Sequence, residues 1–120
     1  MSSELVQLRS FYTTPGFLLL ARPEDVPVGC VGVRALTGST GELRRLFVTP
    51  RSRGTGLGRR LLAEATEQAA HNGFDRLVLN TLPTMTAARA LYDADGYVPI
   101  EPYVAEPVSG VQYLGRDLTR

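Results

Sequence analysis

The chain of 120 residues has the length of one compact domain, and 43% hydrophobic with 21% charged residues is typical of a folded globular protein. A net charge of +1 argues against a general nucleic-acid or membrane binder, and no segment approaches the roughly 20 apolar residues of a membrane helix. The single cysteine excludes an internal disulfide and, with no secretory signal in sight, indicates a cytoplasmic protein.

The first half of the chain predicts a short helix followed by three strands. Apolar side chains at three-residue spacing (Leu5, Leu8 and Phe11) favour the helix, over residues 3–12. The strands are predicted over residues 16–22, 26–36 and 42–49. Gly29 and Gly32 in the second strand suggest a bulge or a close backbone contact. Turn residues at 37–41 join the second and third strands as a hairpin, and the third has apolar residues on both faces, as in a central strand.

The second half predicts two helices and three further strands. The first helix carries one apolar stripe, and Gly73 suits the position just after its end. The stripe consists of Leu57, Leu61, Leu62, Ala65 and Ala69. A strand over 76–82 runs parallel to the one at 42–49 if the helix between them is a right-handed crossover. Pro83 and Thr84 open a second helix over 85–94, which Gly96 closes. Strands over 97–101 and 112–118 complete a mixed sheet with helices on its faces, an α/β (α+β) fold of one domain over residues 1–120.

The loop before the first of these helices is the most informative part of the chain. It reads RSRGTGLGRR over residues 51–60, with alternating glycines and four arginines. The glycines let the backbone turn tightly and approach a ligand, and the helix directs its free N–H groups and positive dipole end to the same place. Arg59 and Arg60 in the first turn have the wrong sign for that dipole, a conflict that a bound anion would remove. The loop therefore predicts a polyphosphate site.

Two familiar phosphate loops do not fit this sequence. The loop of nucleotide triphosphatases requires G-x-x-x-x-G-K-[ST], and the chain contains no lysine. The dinucleotide fingerprint requires G-x-G-x-x-G and an acid about 20 residues later, whereas the chain has G-x-G-x-G and a next strand, RLVLNTL, without an acid. A plain connecting turn remains an alternative, because glycine loops also occur for turn geometry alone.

The stretch Arg53-Gly54-Thr55-Gly56-Leu57-Gly58 matches the R/Q-x-x-G-x-G/A signature of the GNAT superfamily of N-acetyltransferases, which bind acetyl-CoA. The chain resembles that family over residues 16–118, because ELRRLFV, Pro50, the loop helix, LVLNT and ALYDADGY follow in its order and spacing. The resemblance implies the GNAT fold, in which two neighbouring parallel strands of the mixed sheet, here 42–49 and 76–82, splay into a V-shaped cleft. It also implies an abbreviated amino end, because relatives usually place a strand and a helix there as one wall of the acceptor site.

The resemblance further implies a binding site for the acetyl donor. Backbone N–H groups of the loop would hold the pyrophosphate, and main-chain atoms of the preceding strand would pair with the pantetheine arm. These residues are Arg53, Gly54, Thr55, Gly56, Leu57, Gly58 and Arg59 in the loop, and Leu46, Phe47 and Val48 in the strand. A bulge near Phe47 or Val48 would leave an N–H free for the thioester oxygen and the oxyanion. Met85 stands where many relatives have an asparagine that contacts the coenzyme.

Acetyl transfer to an amine requires a base for the amine and a proton or hydrogen bond for the departing thiolate. Glu42 is the only carboxylate in the central strand, and the resemblance implies that it is the base, directly or through water. Glu101 and Glu106 are secondary candidates. Tyr92 in ALYDADGY matches the family's L-Y-x-x-x-G-[FY] and is the implied acid, because a phenol pKa of about 10 suits a thiol pKa of about 8.5. A surface acid at Glu42 and a merely packed Tyr92 are the structural alternatives, and Tyr103 either covers the acceptor pocket or is a surface side chain.

The resulting hypothesis is an acetyl-CoA-dependent N-acetyltransferase that moves acetyl to a primary amine of a small molecule or peptide by direct attack. No metal, nucleic acid or membrane is expected to take part, since one histidine and one cysteine (Cys30, expected to be a buried small hydrophobe) form no metal-ligand cluster. An acidic cleft would suit a cationic small molecule, a peptide N-terminus or a lysine side chain. Two alternatives stay open: a non-catalytic acyl-CoA-binding regulatory domain, and a subunit that needs a partner, such as a second copy in a homodimer, to complete its acceptor site.

Overall fold

The computed structural model describes residues 5–8, 15–22 and 26–118, which form one mixed sheet and two α-helices. The strands are β1 (Leu5–Leu8), β2 (Phe17–Ala21), β3 (Gly29–Thr37), β4 (Thr40–Val48), β5 (Arg76–Thr81), β6 (Val98–Pro99) and β7 (Gln112–Asp117). The helices are α1 (Leu57–His71) and α2 (Thr86–Ala94). The order across the sheet is β1-β2-β3-β4-β5-β7-β6, with β4 and β5 parallel and the other pairs antiparallel. The predicted α/β (α+β) sheet is confirmed, and neither described helix is long and apolar enough to cross a membrane.

Two predicted elements differ from the structure. The helix predicted over 3–12 is wrong at Leu5–Leu8, which form β1 and pair antiparallel with residues 18–21 of β2; the rest of that stretch lies outside the described residues. The apolar spacing was a weak local signal, and pairing with the sheet edge overrides it. The strand predicted over 97–101 shortens to Val98–Pro99. The Ile100 N–H still donates to the Tyr113 carbonyl oxygen, but Pro102, two residues later, lacks the N–H that would extend this ladder with β7.

The predicted hairpin is confirmed with a tighter turn. Thr37 pairs with Thr40, so that Gly38 and Ser39 alone connect β3 to β4, and Gly38 has the positive φ of 54° that such two-residue turns require. The close contact predicted at Gly29 is also present. A Cβ on Gly29 would lie 3.0 Å from the carbonyl oxygen of Phe47, which fixes the spacing of β3 and β4 near the end of β4.

The hydrophobic core lies between the sheet and one layer containing both helices. The predicted stripe of α1 packs there against alternate strand residues, whose side chains share one face of the sheet. These strand residues are Phe17, Leu19, Val31, Val33, Leu43, Leu77, Leu79 and Leu114. Each large aliphatic side chain buried in this way contributes about 1.5–3 kcal/mol. The two helices also touch, because a Cβ on Gly58 of α1 would lie 2.9 Å from Cδ1 of Leu91 in α2.

The parallel strands β4 and β5 separate along their length. Their pairing consists of Thr40 with Arg76, Gly41 with Leu77 and Glu42 with Val78. Beyond these pairs β4 continues to Val48, whereas β5 stays paired with β7 up to Thr81. The predicted V-shaped gap is therefore present, with its apex at the Glu42–Val78 pair and its mouth at the carboxyl ends of the strands.

Candidate active site

The glycine loop lies at the mouth of the gap and directs helix N–H groups into open space. After β4 the chain makes a 3-10 turn over Pro50–Ser52, and Nε of Arg53 donates to the carbonyl oxygen of Val48 at 2.9 Å. Gly54 and Gly56 have φ of 81° and 89°, values that L-residues rarely adopt. A Cβ on either would meet no atom within 4 Å, so glycine is needed there for backbone conformation and the surroundings are open.

The amino end of α1 has the features of an anion site. Gly56 is the N-cap and supplies no side chain to the free N–H groups, and the first turn contains no acid. The backbone N–H groups of the first turn have no partner inside the helix, and their dipole favours negative charge. Arg53 and Arg59 are exposed beside them. The structure therefore brings the predicted loop residues together around one open, donor-rich bend.

A β-bulge interrupts β4 just before its end. Cys30 pairs with Phe47 and Gly32 with Arg44, so Val31 faces two residues, Arg45 and Leu46. Arg45 has a φ of 60°, and among the described residues it is the only non-glycine residue with a positive φ. The bulge predicted near Phe47 or Val48 is therefore present, at the two residues that precede Phe47. The pairing register between β3 and β4 fixes the position of the bulge, and that register depends on residues that are far apart in the sequence.

The residues after the bulge border the gap. Leu46 and Val48 pack against the core, whereas the Phe47 ring is 48% exposed, with the Arg53 guanidinium 5.8 Å from its centroid. Pairing between β4 and β5 has ended by this point, so this edge of β4 faces the gap instead of a neighbouring strand. Met85 lies across the gap after β5, half exposed, where its sulfur accepts from the Thr81 hydroxyl at 3.9 Å.

Glu42 at the apex of the gap is buried and held by three side chains. Its exposed fraction is 4%, and it lies on the face of the sheet opposite the helices. Nε of Arg34 donates to Oε1 at 2.8 Å, and the Tyr103 hydroxyl donates to Oε2 at 2.6 Å. The guanidinium of Arg44 lies 3.7 Å from Oε1. The alternative of a surface strand-end acid therefore does not hold.

Tyr103 connects this cluster to the loop between β6 and β7. Its hydroxyl accepts from Nδ2 of Asn80 at 3.3 Å, and its ring packs edge-on against Tyr113 with centroids 5.4 Å apart. Burial and the hydrogen bond to Glu42 raise the pKa of the Tyr103 hydroxyl above its ordinary range, so it keeps its proton and donates. Of the two predictions for Tyr103, the surface side chain is wrong.

Sequence reasoning missed the partners Arg34 and Asn80. Arg34 pairs with Glu42 only because the β3–β4 register shifts between Ala35 and Thr37; counting back from the turn would pair Arg34 with Leu43. Asn80 directly follows the buried run of β5. Its polar side chain within a strand was a visible signal, but its partner Tyr103 lies 23 residues away.

Tyr92 lies on the other side of the sheet from Glu42. It is 7% exposed within the helix-side core and packs against Tyr97 at a centroid distance of 5.7 Å. Burial raises the pKa of the Tyr92 hydroxyl. The two predicted catalytic residues thus occupy opposite faces of the sheet.

The remaining candidates lie outside this arrangement. Glu101 and Glu106 are exposed and belong to no part of the Glu42 cluster. Cys30 is half-buried, not fully buried as expected; its Sγ donates to the Arg45 carbonyl at 3.1 Å, and burial raises the pKa of the thiol. Within residues 15–22 and 26–118, no three His, Cys, Asp or Glu side chains come together as a metal site would require.

Comparison with known proteins agrees with this geometry. The profile of the acetyltransferase (GNAT) family matches residues 2–97. An uncharacterised N-acetyltransferase of Schizosaccharomyces pombe is 34% identical over 115 residues, which are 94% of this chain and 71% of that protein. The IAA acetyltransferase of Azospirillum brasilense is 34% identical over 112 residues, 90% of this chain and 73% of that protein. A protein from Klebsiella pneumoniae assigned as an acyl-CoA N-acyltransferase matches with a TM-score of 0.82 at 28% identity, covering 87% of this chain and 73% of its own.

Proposed function

Because this chain belongs to the acetyltransferase (GNAT) family, we propose that it transfers the acetyl group of acetyl-CoA directly to a primary amine. The observation that carries the proposal is the position of the anion-ready glycine loop at the mouth of a gap whose apex holds a buried carboxylate. One extended molecule with a diphosphate near one end and a thioester at the other fits that arrangement. The family, which uses acetyl-CoA, supplies the identity of the donor.

The donor is held by main-chain groups. The diphosphate accepts hydrogen bonds from N–H groups between Arg53 and Arg59, where two glycines keep the backbone accessible. The pantetheine arm lies along the edge of β4 at Leu46, Phe47 and Val48, which has left its pairing with β5. An N–H freed near the bulge binds the thioester oxygen and stabilises the oxyanion of the tetrahedral intermediate.

The chemistry is one substitution at the thioester carbonyl. The amine nitrogen attacks the carbonyl carbon, a C–N bond forms, the C–S bond breaks, and the amine proton passes to Glu42 directly or through water. Arg34 and Tyr103 occupy one position on each carboxylate oxygen, which leaves further lone pairs for that proton. On the other face, Tyr92 donates its hydroxyl proton or a hydrogen bond to the departing thiolate. Since burial raises its pKa, Tyr92 remains protonated while it waits for the leaving group.

Incubation of the purified chain with acetyl-CoA and a panel of amines tests the proposal, with coenzyme A thiol and acetylated product both measured. Glu42→Gln should lower kcat by about 10²–10⁴-fold, the usual contribution of a general base, with the calorimetric affinity for acetyl-CoA unchanged. Glu106→Gln is the matched control, because it removes an exposed acid outside the cluster. Equal turnover of Glu42→Gln and the parent would overturn the base assignment. Binding of acetyl-CoA without transfer to any amine would favour a regulatory domain.

One observation favours a second candidate, a subunit whose acceptor site a partner completes. Both described helices lie on the face of the sheet opposite Glu42, so the loop carrying Tyr103 is the cover that the described residues provide on the Glu42 face. A second copy of the chain would then supply a further wall on that face. Specific activity that rises with protein concentration, in step with association measured by sedimentation, would support this candidate. Constant activity in a dilute monomer would exclude it.

A further inference from the structure

The charge around Glu42 is opposite to what a cleft for a cationic substrate requires. Two guanidinium groups, of Arg34 and Arg44, lie within 4 Å of its carboxylate, so the cluster carries one positive charge in excess. The carboxylate side chain is 6% exposed, whereas the arginine side chains are 45% and 44% exposed. An approaching molecule therefore meets the cations first. The expectation of an acidic cleft, suited alike to a cationic small molecule, a peptide N-terminus or a lysine side chain, is not supported by the charges around Glu42.

The two arginines are not equivalent. Arg34 forms a hydrogen bond with Glu42 at 2.8 Å and fixes the carboxylate. The Arg44 guanidinium lies 3.7 Å from the nearest carboxylate oxygen, which is beyond the roughly 2.7–3.2 Å of an N–H···O hydrogen bond. Its five donors, arranged as a planar fork, thus remain available for a second carboxylate.

Arg44 also stands where an acceptor would pass. It lies two residues after Glu42 on the same face of β4, just beyond the last pair between β4 and β5. The bulge at Arg45 and Leu46 follows immediately. An amine that reaches the gap from this face has Glu42 on one side and the guanidinium of Arg44 beside its other substituents.

We infer that the acceptor is an amine that also carries a carboxylate, as an amino acid does, with Arg44 binding that carboxylate while Glu42 faces the amine. This inference rests on the proposed acetyl transfer and names the class of acceptor. In such a zwitterion the amino group complements the negative charge of Glu42 and the carboxylate complements the positive charge of Arg44. An amine without an anionic group leaves Arg44 without its second partner and meets the excess positive charge.

Matched pairs of acceptors test the inference: several L-amino acids, each beside its primary amide, with acetyl-CoA saturating. The amide has the same side chain and a less basic amine, so chemistry alone favours the amide. The acids should nevertheless show a kcat/KM at least about tenfold higher, which corresponds to about 1.4 kcal/mol. Arg44→Gln should bring this ratio close to one, mainly through a higher KM for the acids. Arg44→Lys should keep part of the preference, because the charge remains and the fork is lost.

Arg76→Gln is the matched control, since it removes one equally exposed arginine from β5 that pairs with Asp117 away from the gap. Acetyl transfer without preference for acids would overturn the inference and leave the proposed function standing. A preference that Arg76→Gln lowers as much as Arg44→Gln would overturn the role of Arg44. If no amine is acetylated, the proposed function fails, but calorimetry with N-acetyl amino acids and their amides still tests the carboxylate site. Binding of the acids that is lost in Arg44→Gln supports the site. Equal binding of the acids and the amides refutes it.

Discussion

Replacement of Gly56 by glutamate or by glutamine separates the charge of the donor site from its backbone geometry. Gly56 has a φ of 89°, so any L-residue there costs about 1–2 kcal/mol. No atom lies within 4 Å of the added Cβ, so the Cβ itself adds no steric clash in either variant. With a typical unfolding free energy of about 5–15 kcal/mol, both variants should remain folded.

Of the two variants, the glutamate variant should be the more stable and should have the lower affinity for acetyl-CoA. In the free protein, a carboxylate at the amino end of α1 faces the helix dipole and two arginines of the first turn, which favours glutamate over glutamine by about 0.3–1 kcal/mol. When a diphosphate is bound about 5 Å away, its repulsion of the same carboxylate costs roughly 2–6 kcal/mol at effective dielectric constants of about 20–80. The Gly56→Glu variant should therefore be the more stable of the two, with an affinity for acetyl-CoA lower by about thirtyfold or more.

Thermal unfolding without ligand and calorimetry with acetyl-CoA measure the two quantities on the same samples. The affinity gap between the variants should narrow as the salt concentration rises, because mobile ions screen an exposed charge. Equal affinity of the glutamate and glutamine variants at low salt would refute the assignment of the loop as the diphosphate site.

Three further predictions concern the tyrosines. Tyr92→Phe should lower kcat with little change in the affinity for acetyl-CoA, and an unchanged kcat would contradict this. Tyr97→Phe should raise the free energy of unfolding by about 1–3 kcal/mol, because the buried Tyr97 hydroxyl has no hydrogen-bond partner among the described residues. A lower melting temperature for Tyr97→Phe would contradict that expectation. The free energy of unfolding should keep its full value below a pH of about 10 and fall above it. Burial raises the pKa of Tyr92 and Tyr97, so above this pH the folded protein keeps protons that the unfolded chain has already lost. Urea unfolding across the alkaline range measures that decline, which Tyr97→Phe should make shallower, and a urea midpoint that stays constant would contradict it.

The local features of the site could be predicted from the sequence by itself. Positive φ at Gly54 and Gly56, the apolar stripe of α1 and its end before Gly73 follow from neighbouring residues, because glycine tolerance and helical periodicity are properties of short segments. The parallel pairing of β4 and β5 followed from the handedness of the crossover. Motif order then identified the family and, with it, the donor site as a prediction.

The surroundings of Glu42 were decided by the tertiary structure. Glu42 and Tyr103 are 61 residues apart, and their hydrogen bond depends on how a long loop returns over the sheet. Arg34 reaches Glu42 through a register irregularity, and the bulge lies at Arg45 and Leu46 because β3 holds β4 in that register. Strand register and loop return are set by packing across the whole sheet, since no short stretch of residues contains the partners that fix them. The sequence by itself therefore determined the local features on which the predicted phosphate site rests, and only the folded sheet decided which charges surround the buried acid.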